Sequence, residues 1–196
     1  MVETAIEERK YTVAEYFDLA RHSELRYEYH YGELIEMAGE ARKANRIAIN
    51  IVNMITKPFY KKGYEVYAHD VKVEVNNGNT YRCPDVVVTA ISDDSDDYFV
   101  VFPEIIVEVA SKDSMHTDTV TKLKEYKKIP SMQYYIIAAQ DEMEVQLYSR
   151  SGDKWTVELF DLPNDLIELP LFDTSFSLAD MYDTVKIKGQ LFLKEV

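Results

Sequence analysis

Apolar residues recur at helical spacing in one long stretch of this chain and alternate with polar ones in several short stretches. Between Glu40 and Tyr60, the residues Ile47, Ile51, Met54, Ile55 and Phe59 fall three or four positions apart, which predicts one long amphipathic helix with Pro58 and Gly63 near its end. Ahead of it, Thr12-Val-Ala-Glu15 has capping-box spacing, a threonine answered three residues later by a glutamate, so a helix is expected to about Arg21. Leu25 to Met37, with Gly32 between two strand-like runs, reads as a hairpin. Val71, Val73 and Val75 alternate with polar residues as a half-buried strand does, and Asn76-Asn77-Gly78-Asn79 makes a turn. A strand carrying Asp85, an acidic loop over Ser92–Asp97 and a strand carrying Glu108 follow. A helix from about Thr117 to Lys128 should end before Pro130, since the residue preceding a proline avoids helical backbone. Gln133–Ala139 and Met143–Tyr148 read as strands, Ser151-Gly152-Asp153 opens a hairpin into a strand with Trp155, and Leu171–Val185 reads as a strand and a short helix. With no repeat, low-complexity tract or long linker, residues 1–196 are expected to form one domain, α/β or α+β, with a mixed β-sheet flanked by helices.

Composition narrows the class. A hydrophobic fraction of 46% with 12% aromatic residues belongs to a globular chain. The single cysteine, Cys83, excludes an internal disulfide and a cysteine-based zinc cluster, and its neighbours make it a buried residue rather than a nucleophile. No run is long and apolar enough to span a membrane, and the N-terminus lacks the basic-then-apolar order of a signal peptide, so a cytoplasmic location is expected. A net charge of −13 opposes indiscriminate binding to nucleic acid or anionic lipid. Local basic clusters remain: Arg42, Lys43 and Arg46; Lys57, Lys61 and Lys62; Lys122, Lys124, Lys127 and Lys128.

Two apolar strands each carry one isolated carboxylate, in Pro84-Asp85-Val86-Val87-Val88 and in Pro103-Glu104-Ile105-Ile106-Val107-Glu108-Val109-Ala110-Ser111. An ionised carboxylate in such a setting costs several kcal/mol to desolvate unless it is paired, protonated or metal-bound. Asp85 stands at the entrance of its strand and Glu108 near the exit of the other, so antiparallel pairing would bring the two together. A hard divalent cation such as Mg²⁺ takes one or two carboxylates and keeps several waters, which makes the pair a candidate metal site. Two lysines could serve it. Lys112 shares the strand face of Glu108 but lies beyond Ala110, whereas Asp118, Lys122 and Tyr126 fall at i, i+4 and i+8 on one face of the following helix. Lys122 is preferred.

These segments resemble a known family. Pro84-Asp85-Val-Val-Val, Pro103-Glu-Ile-Ile-Val-Glu108-Val-Ala-Ser111, Asp118-Thr-Val-Thr-Lys122-Leu-Lys-Glu-Tyr126 and Ile129-Pro130-Ser-Met-Gln-Tyr-Tyr-Ile-Ile look like the Uma family of restriction-endonuclease-like proteins, within the PD-(D/E)XK nuclease superfamily. Tyr27-Glu28-Tyr-His-Tyr-Gly32-Glu33-Leu-Ile-Glu-Met37 upstream, and Val145-Gln-Leu-Tyr148 and the Leu171–Val185 tail downstream, extend the resemblance over most of the chain. It implies a restriction-endonuclease-like core and a Mg²⁺- or Mn²⁺-dependent site with Asp85 and Glu108 as ligands, joined by the backbone carbonyl of Val109. It also implies Glu33 as an additional acidic member, DNA as substrate, and a homodimer, because such nucleases usually cut duplexes as dimers. The family usually places its lysine on the helix after the glutamate strand, which maps to Lys122; Asp118 and Tyr126 match recurring positions. One departure is the stretch Glu40-Ala-Arg-Lys-Ala-Asn45-Arg46, which has no histidine where family members often carry one, leaving Asn45 or Arg46 to substitute.

Other signals carry less. Asp93-Asp-Ser95-Asp-Asp97 followed by Glu104 superficially matches a calcium loop, but Tyr98 stands where the tight turn needs glycine. His22, His30, His69 and His116 show no ligand spacing. Tyr27, Tyr29 and Tyr31 share a strand face, for which packing is the default and base stacking the alternative. Two functional classes follow: a metal-dependent endonuclease in which Asp85 and Glu108 hold the ion and Lys122 stabilises charge on the scissile phosphate, and a catalytically inactive nuclease-fold protein serving as a binding or assembly module.

Overall fold

A computed structural model describes residues 9–91 and 97–187. The acidic loop expected over residues 92–97 and the N-terminal residues read for a signal peptide fall wholly or mostly outside that range. The chain is α+β, with two mixed sheets rather than one. It opens with α1 (Val13–His22), capped as its sequence requires: the Glu15 amide donates to Thr12 Oγ1 at 3.2 Å and the Thr12 amide to the Glu15 carboxylate at 2.8 Å. The hairpin β1 (Tyr27–His30) and β2 (Glu33–Glu36) turns through Tyr31 and Gly32, whose φ angles of 47° and 93° are those of a primed two-residue turn. After it come α2 (Arg42–Tyr60), β3 (Tyr64–Ala68), β4 (Lys72–Val75), β5 (Thr80–Arg82), β6 (Val86–Ala90), β7 (Phe99–Val100) and β8 (Pro103–Ala110). A π turn over Thr117–Lys122 runs into α3 (Leu123–Tyr126). The chain continues as β9 (Tyr134–Ala139), β10 (Val145–Ser151), β11 (Lys154–Phe160), β12 (Leu166–Leu169), β13 (Thr174–Ser177) and α4 (Leu178–Met181).

The central sheet runs β11-β10-β9-β8-β6-β3, with β8 and β9 parallel and the other neighbours antiparallel. The second sheet runs β2-β1-β5-β4-β7, and β12 with β13 forms a separate hairpin. Strand alternation divides the central sheet's side chains between two cores. Val86, Val88, Ile105, Val107, Val109 and Ile136 meet the apolar stripe of α2, where Ile47, Ile51, Ile55 and Phe59 are buried. Each such aliphatic side chain contributes roughly 1.5–3 kcal/mol by leaving water. Val87, Ile106, Ala110, Tyr135 and Ile137 face the other way, against Tyr126 and the β4 residues Val73 and Val75. A third cluster, Tyr16, Tyr29 and Tyr81, packs α1 onto the second sheet, so Tyr29 is a core ring. Cys83 is buried between β5 and β6. Among the described residues no helix is long and apolar enough to cross a membrane.

Candidate active site

The even-numbered face of β8 is where the central sheet meets the π turn, α3 and the second sheet. Glu108 lies on that face between Ile106 and Ala110, both packed in an apolar core. β6 pairs antiparallel with β8 at Val86↔Val107, so the register continued by one position sets Asp85 opposite Glu108. The Val109 amide donates to Asp85 Oδ2 at 2.6 Å, tying the two strands at that point. The antiparallel meeting of the two carboxylate strands is therefore present.

The following helix supplies the cation. Lys122 Nζ lies 2.9 Å from Glu108 Oε1, 3.2 Å from Asp118 Oδ1 and 3.6 Å from Glu28 Oε1. The Tyr126 hydroxyl donates to Glu108 Oε1 at 2.9 Å, and its ring packs edge-on against Tyr135. The π turn widens the helix by one residue per turn, and Asp118, Lys122, Glu125 and Tyr126 are all buried along this segment. Lys112, the other candidate, is exposed, with its side chain 4.0 Å from Glu142.

Behind this group stands a second ion-pair layer. Arg82 is 3% exposed and donates to Glu125 through Nε at 2.8 Å and Nη2 at 2.9 Å, and to Glu28 through Nη1 at 2.7 Å. Glu28 also accepts the Cys83 amide at 3.1 Å. Of the hairpin acids, it is therefore Glu28 that reaches Lys122. Glu33 is exposed on β2, in register with His30. The structure thus gathers Asp85, Glu108, Lys122, Asp118 and Tyr126 and does not bring Glu33 to them. His116 is exposed, and His30 lies 3.5 Å from Glu125 at the rim.

Charge does not balance here. Among the described residues, Glu28, Glu108, Asp118 and Glu125 are buried and Asp85 is half-buried, against the buried cations Arg82 and Lys122: five carboxylates and two cations. The consequences appear in the acidities. Burial pushes Glu108 up to about 8, with the neighbouring Asp118, Asp85 and Glu28 adding to the rise and Lys122 opposing it. Burial also lifts Asp85 to about 6, against the Val109 amide, which favours its charged form. For Glu28 burial raises, but the charges of Lys122 and Arg82 prevail and hold it below the ordinary carboxylate range. Lys122 is held charged, because Glu108, Glu28 and Asp118 outweigh the cost of its burial. A pocket with surplus carboxylate, two of them poised to ionise near neutrality, fits a divalent cation by the chemistry of its donors.

Asp85 also faces outward. One donor atom each from Glu40, His69 and Asp85 lies within 4.8 Å of the others, a set of three metal-capable side chains. No local pattern marks it, because the three come from separate segments; the His69 amide donates to the Asp85 carbonyl at 3.0 Å, and His69 Nδ1 lies 3.6 Å from Glu40 Oε2. Within the stretch Glu40–Arg46, Asn45 donates to Glu40 Oε2 at 2.9 Å, while Arg46 is exposed.

Residues 13–181 match the Uma2 family, described as "Putative restriction endonuclease". Two uncharacterized proteins of Synechocystis sp. are similar along most of their length: slr1290 is 25% identical over 88% of this chain and 92% of its own, and sll1609 is 28% identical over 73% and 82%. A crystal structure described as a "putative nuclease belonging to DUF820", from Anabaena variabilis, superposes with a TM-score of 0.68 at 20% identity, covering 88% of this chain and 97% of that one, which establishes a shared fold.

Proposed function

The chain belongs to the Uma2 family of restriction-endonuclease-like proteins, and on that premise we propose that it is a divalent-cation-dependent nuclease hydrolysing phosphodiester bonds, with DNA as substrate. The observation that carries the proposal is the convergence of Asp85 and Glu108 from adjacent antiparallel strands into a pocket with more carboxylates than cations. Asp85 and Glu108, with the backbone carbonyl of Val109 as the resemblance implies, would hold Mg²⁺ or Mn²⁺. Such an ion supplies Lewis-acid charge against a phosphoryl oxygen and lowers the pKa of a water.

The chain's own groups supply the remainder. Lys122, held charged beside Glu108, would donate to a phosphate oxygen as negative charge develops. Tyr126 fixes the Glu108 oxygen, and Asp118 flanks the ammonium. Arg82 donates to Glu28 from behind, and both side chains are buried there. A separate cleft of about 490 Å³ is lined by Arg21, Arg26, Lys72, Asp70 and Cys83 among others; Arg26 is paired there with Asp70 at 2.6 Å, and neither Asp85, Glu108 nor Lys122 lines it.

One observation favours a second reading, a catalytically inactive module of the same fold: Lys122 is already engaged by three carboxylates. Plasmid cleavage separates the two. The nuclease reading expects nicking or cutting that requires Mg²⁺ or Mn²⁺ and is lost in both Asp85→Ala and Glu108→Ala. A pure preparation that cuts neither single- nor double-stranded DNA or RNA with either ion would select the module, and sedimentation with duplex DNA would report whether two copies assemble.

A further inference from the structure

The donors on the outer side of Asp85 differ in kind from those on the inner side. Glu108 commits one oxygen to both Lys122 and Tyr126. Outside, Glu40 arrives from the segment before α2, His69 from the corner after β3, and Asp85 from the turn into β6. Their donor atoms lie within 4.8 Å of one another, and His69 Nδ1 is 3.6 Å from Glu40 Oε2. Three donors around one ion at ~2.1–2.2 Å stand roughly 3–3.8 Å from one another, so a closure of about 1 Å or somewhat more, within the reach of side-chain rotation, seats an ion among all three. Two of them are held in place: Asn45 donates to Glu40, and the His69 amide donates to the Asp85 carbonyl.

We propose that Glu40, His69 and Asp85 form a cation site of their own, distinct from the Asp85–Glu108 pair, that takes a first-row transition ion such as Mn²⁺ in preference to Mg²⁺. The imidazole is the reason. Mg²⁺ demands oxygen donors in near-ideal octahedral geometry and dehydrates reluctantly, whereas first-row transition ions accept a nitrogen ligand alongside carboxylates. A plain surface ion pair between His69 and Glu40 accounts for the contact between those two but not for the convergence of Asp85 upon them. The inference deepens the nuclease reading by naming the ion at one position, and it rests on that reading only through the shared Asp85. Asn45 becomes a positioning residue for Glu40.

The test is Mn²⁺ binding to the full chain without nucleic acid, followed by electron paramagnetic resonance, with Mg²⁺ as competitor. His69 has φ +64°, a backbone conformation that asparagine tolerates, so His69→Asn removes the imidazole without straining the corner. Glu40 is exposed, so Glu40→Gln leaves the core untouched. The wild type is expected to bind Mn²⁺ at least about tenfold more tightly than Mg²⁺ and to show hyperfine coupling to an imidazole nitrogen. His69→Asn should lose that coupling and the preference, Glu40→Gln should weaken Mn²⁺ about tenfold or more, and Asn45→Ala should do so to a smaller degree. Absence of bound Mn²⁺, absence of the nitrogen coupling in the wild type, or a coupling that survives His69→Asn overturns the proposal. If it falls while plasmid cleavage still needs Asp85 and Glu108, the nuclease reading stands alone; if the coupling is present and no substrate is cut, the cation site stands and the nuclease reading falls.

Discussion

Arg82 is the residue whose removal should reveal most about the buried charge layer. Arg82→Met keeps the aliphatic stem and deletes a guanidinium that makes two hydrogen bonds to Glu125 and one to Glu28. Glu28 retains Lys122 at 3.6 Å and the Cys83 amide, so the principal stranded group is Glu125, left with His30 at 3.5 Å. A buried carboxylate without a partner can shed its charge by binding a proton, and that escape sets a ceiling on the damage. At pH 7 protonating a group of ordinary pKa near 4.3 costs about 1.36 kcal/mol per pH unit, or roughly 4 kcal/mol; at pH 5 the same step costs roughly 1 kcal/mol. The figure at pH 7 agrees with the ~3–5 kcal/mol typical of breaking a buried pair on one side. Urea denaturation of wild type and variant at pH 7 and pH 5 gives both numbers, provided the m-values match. A loss below about 1 kcal/mol at pH 7, or a loss equal at the two pH values, would refute the claim that Arg82 is the principal charge partner of Glu125.

Three further outcomes follow from the same geometry. Glu108→Gln, which replaces an acid pushed up to about 8 by burial with a neutral isostere, should leave the cation-free protein at least as stable as wild type at pH 8 while abolishing cleavage; a drop in melting temperature with activity retained would contradict it. Asp85 and Glu108 both have folded-state pKa values above their unfolded ones, so the stability they confer is complete below the unfolded values near 4 and is lost as pH rises from there through about 6 for Asp85 and about 8 for Glu108, by roughly 3 and roughly 5 kcal/mol at the upper limit. Divalent cation should reverse that loss, and its measured affinity should climb over the same window, which calorimetry at stepped pH would check. Tyr126→Phe removes one hydrogen bond to Glu108 and leaves the ring against Tyr135, so it should cost about 1–2 kcal/mol in stability and lower kcat more than it changes KM.

Much of this arrangement is written in local periodicity. The alternation along Val86–Val88 and Ile105–Ala110 puts Asp85 and Glu108 on one face, and the stripe Ile47–Phe59 declares where α2 must sit, because burial of apolar surface enforces both patterns. What the pattern hides is burial on both sides of a short strand. β1 alternates tyrosine and charged or polar residues and reads as half-exposed, yet Tyr29 packs under α1 while Glu28 points into the ion-pair layer. The family resemblance implied Glu33 as the hairpin's acidic member, whereas the structure brings Glu28 to Lys122. Arg82 was illegible for a similar reason: its partners lie 54 and 43 positions away, and nothing local marks an arginine as 3% exposed. The division into two sheets escaped notice because strand runs do not state which neighbours they choose. His69 and Glu40 went unpaired because ligand spacing can be recognised only within one segment.

The π turn over Thr117–Lys122 bears on how such a protein can change over generations. A turn closed by bonds five residues apart holds one residue more than the regular helix, so deleting a single residue there leaves the backbone able to continue as an ordinary α-helix with bonds four residues apart. The deletion would rotate what precedes it by roughly 100° about the axis relative to Tyr126, separating Asp118 from the face that carries Glu108's partners. One codon therefore separates the assembled charge cluster from a continuous α-helix that no longer presents Asp118 to it.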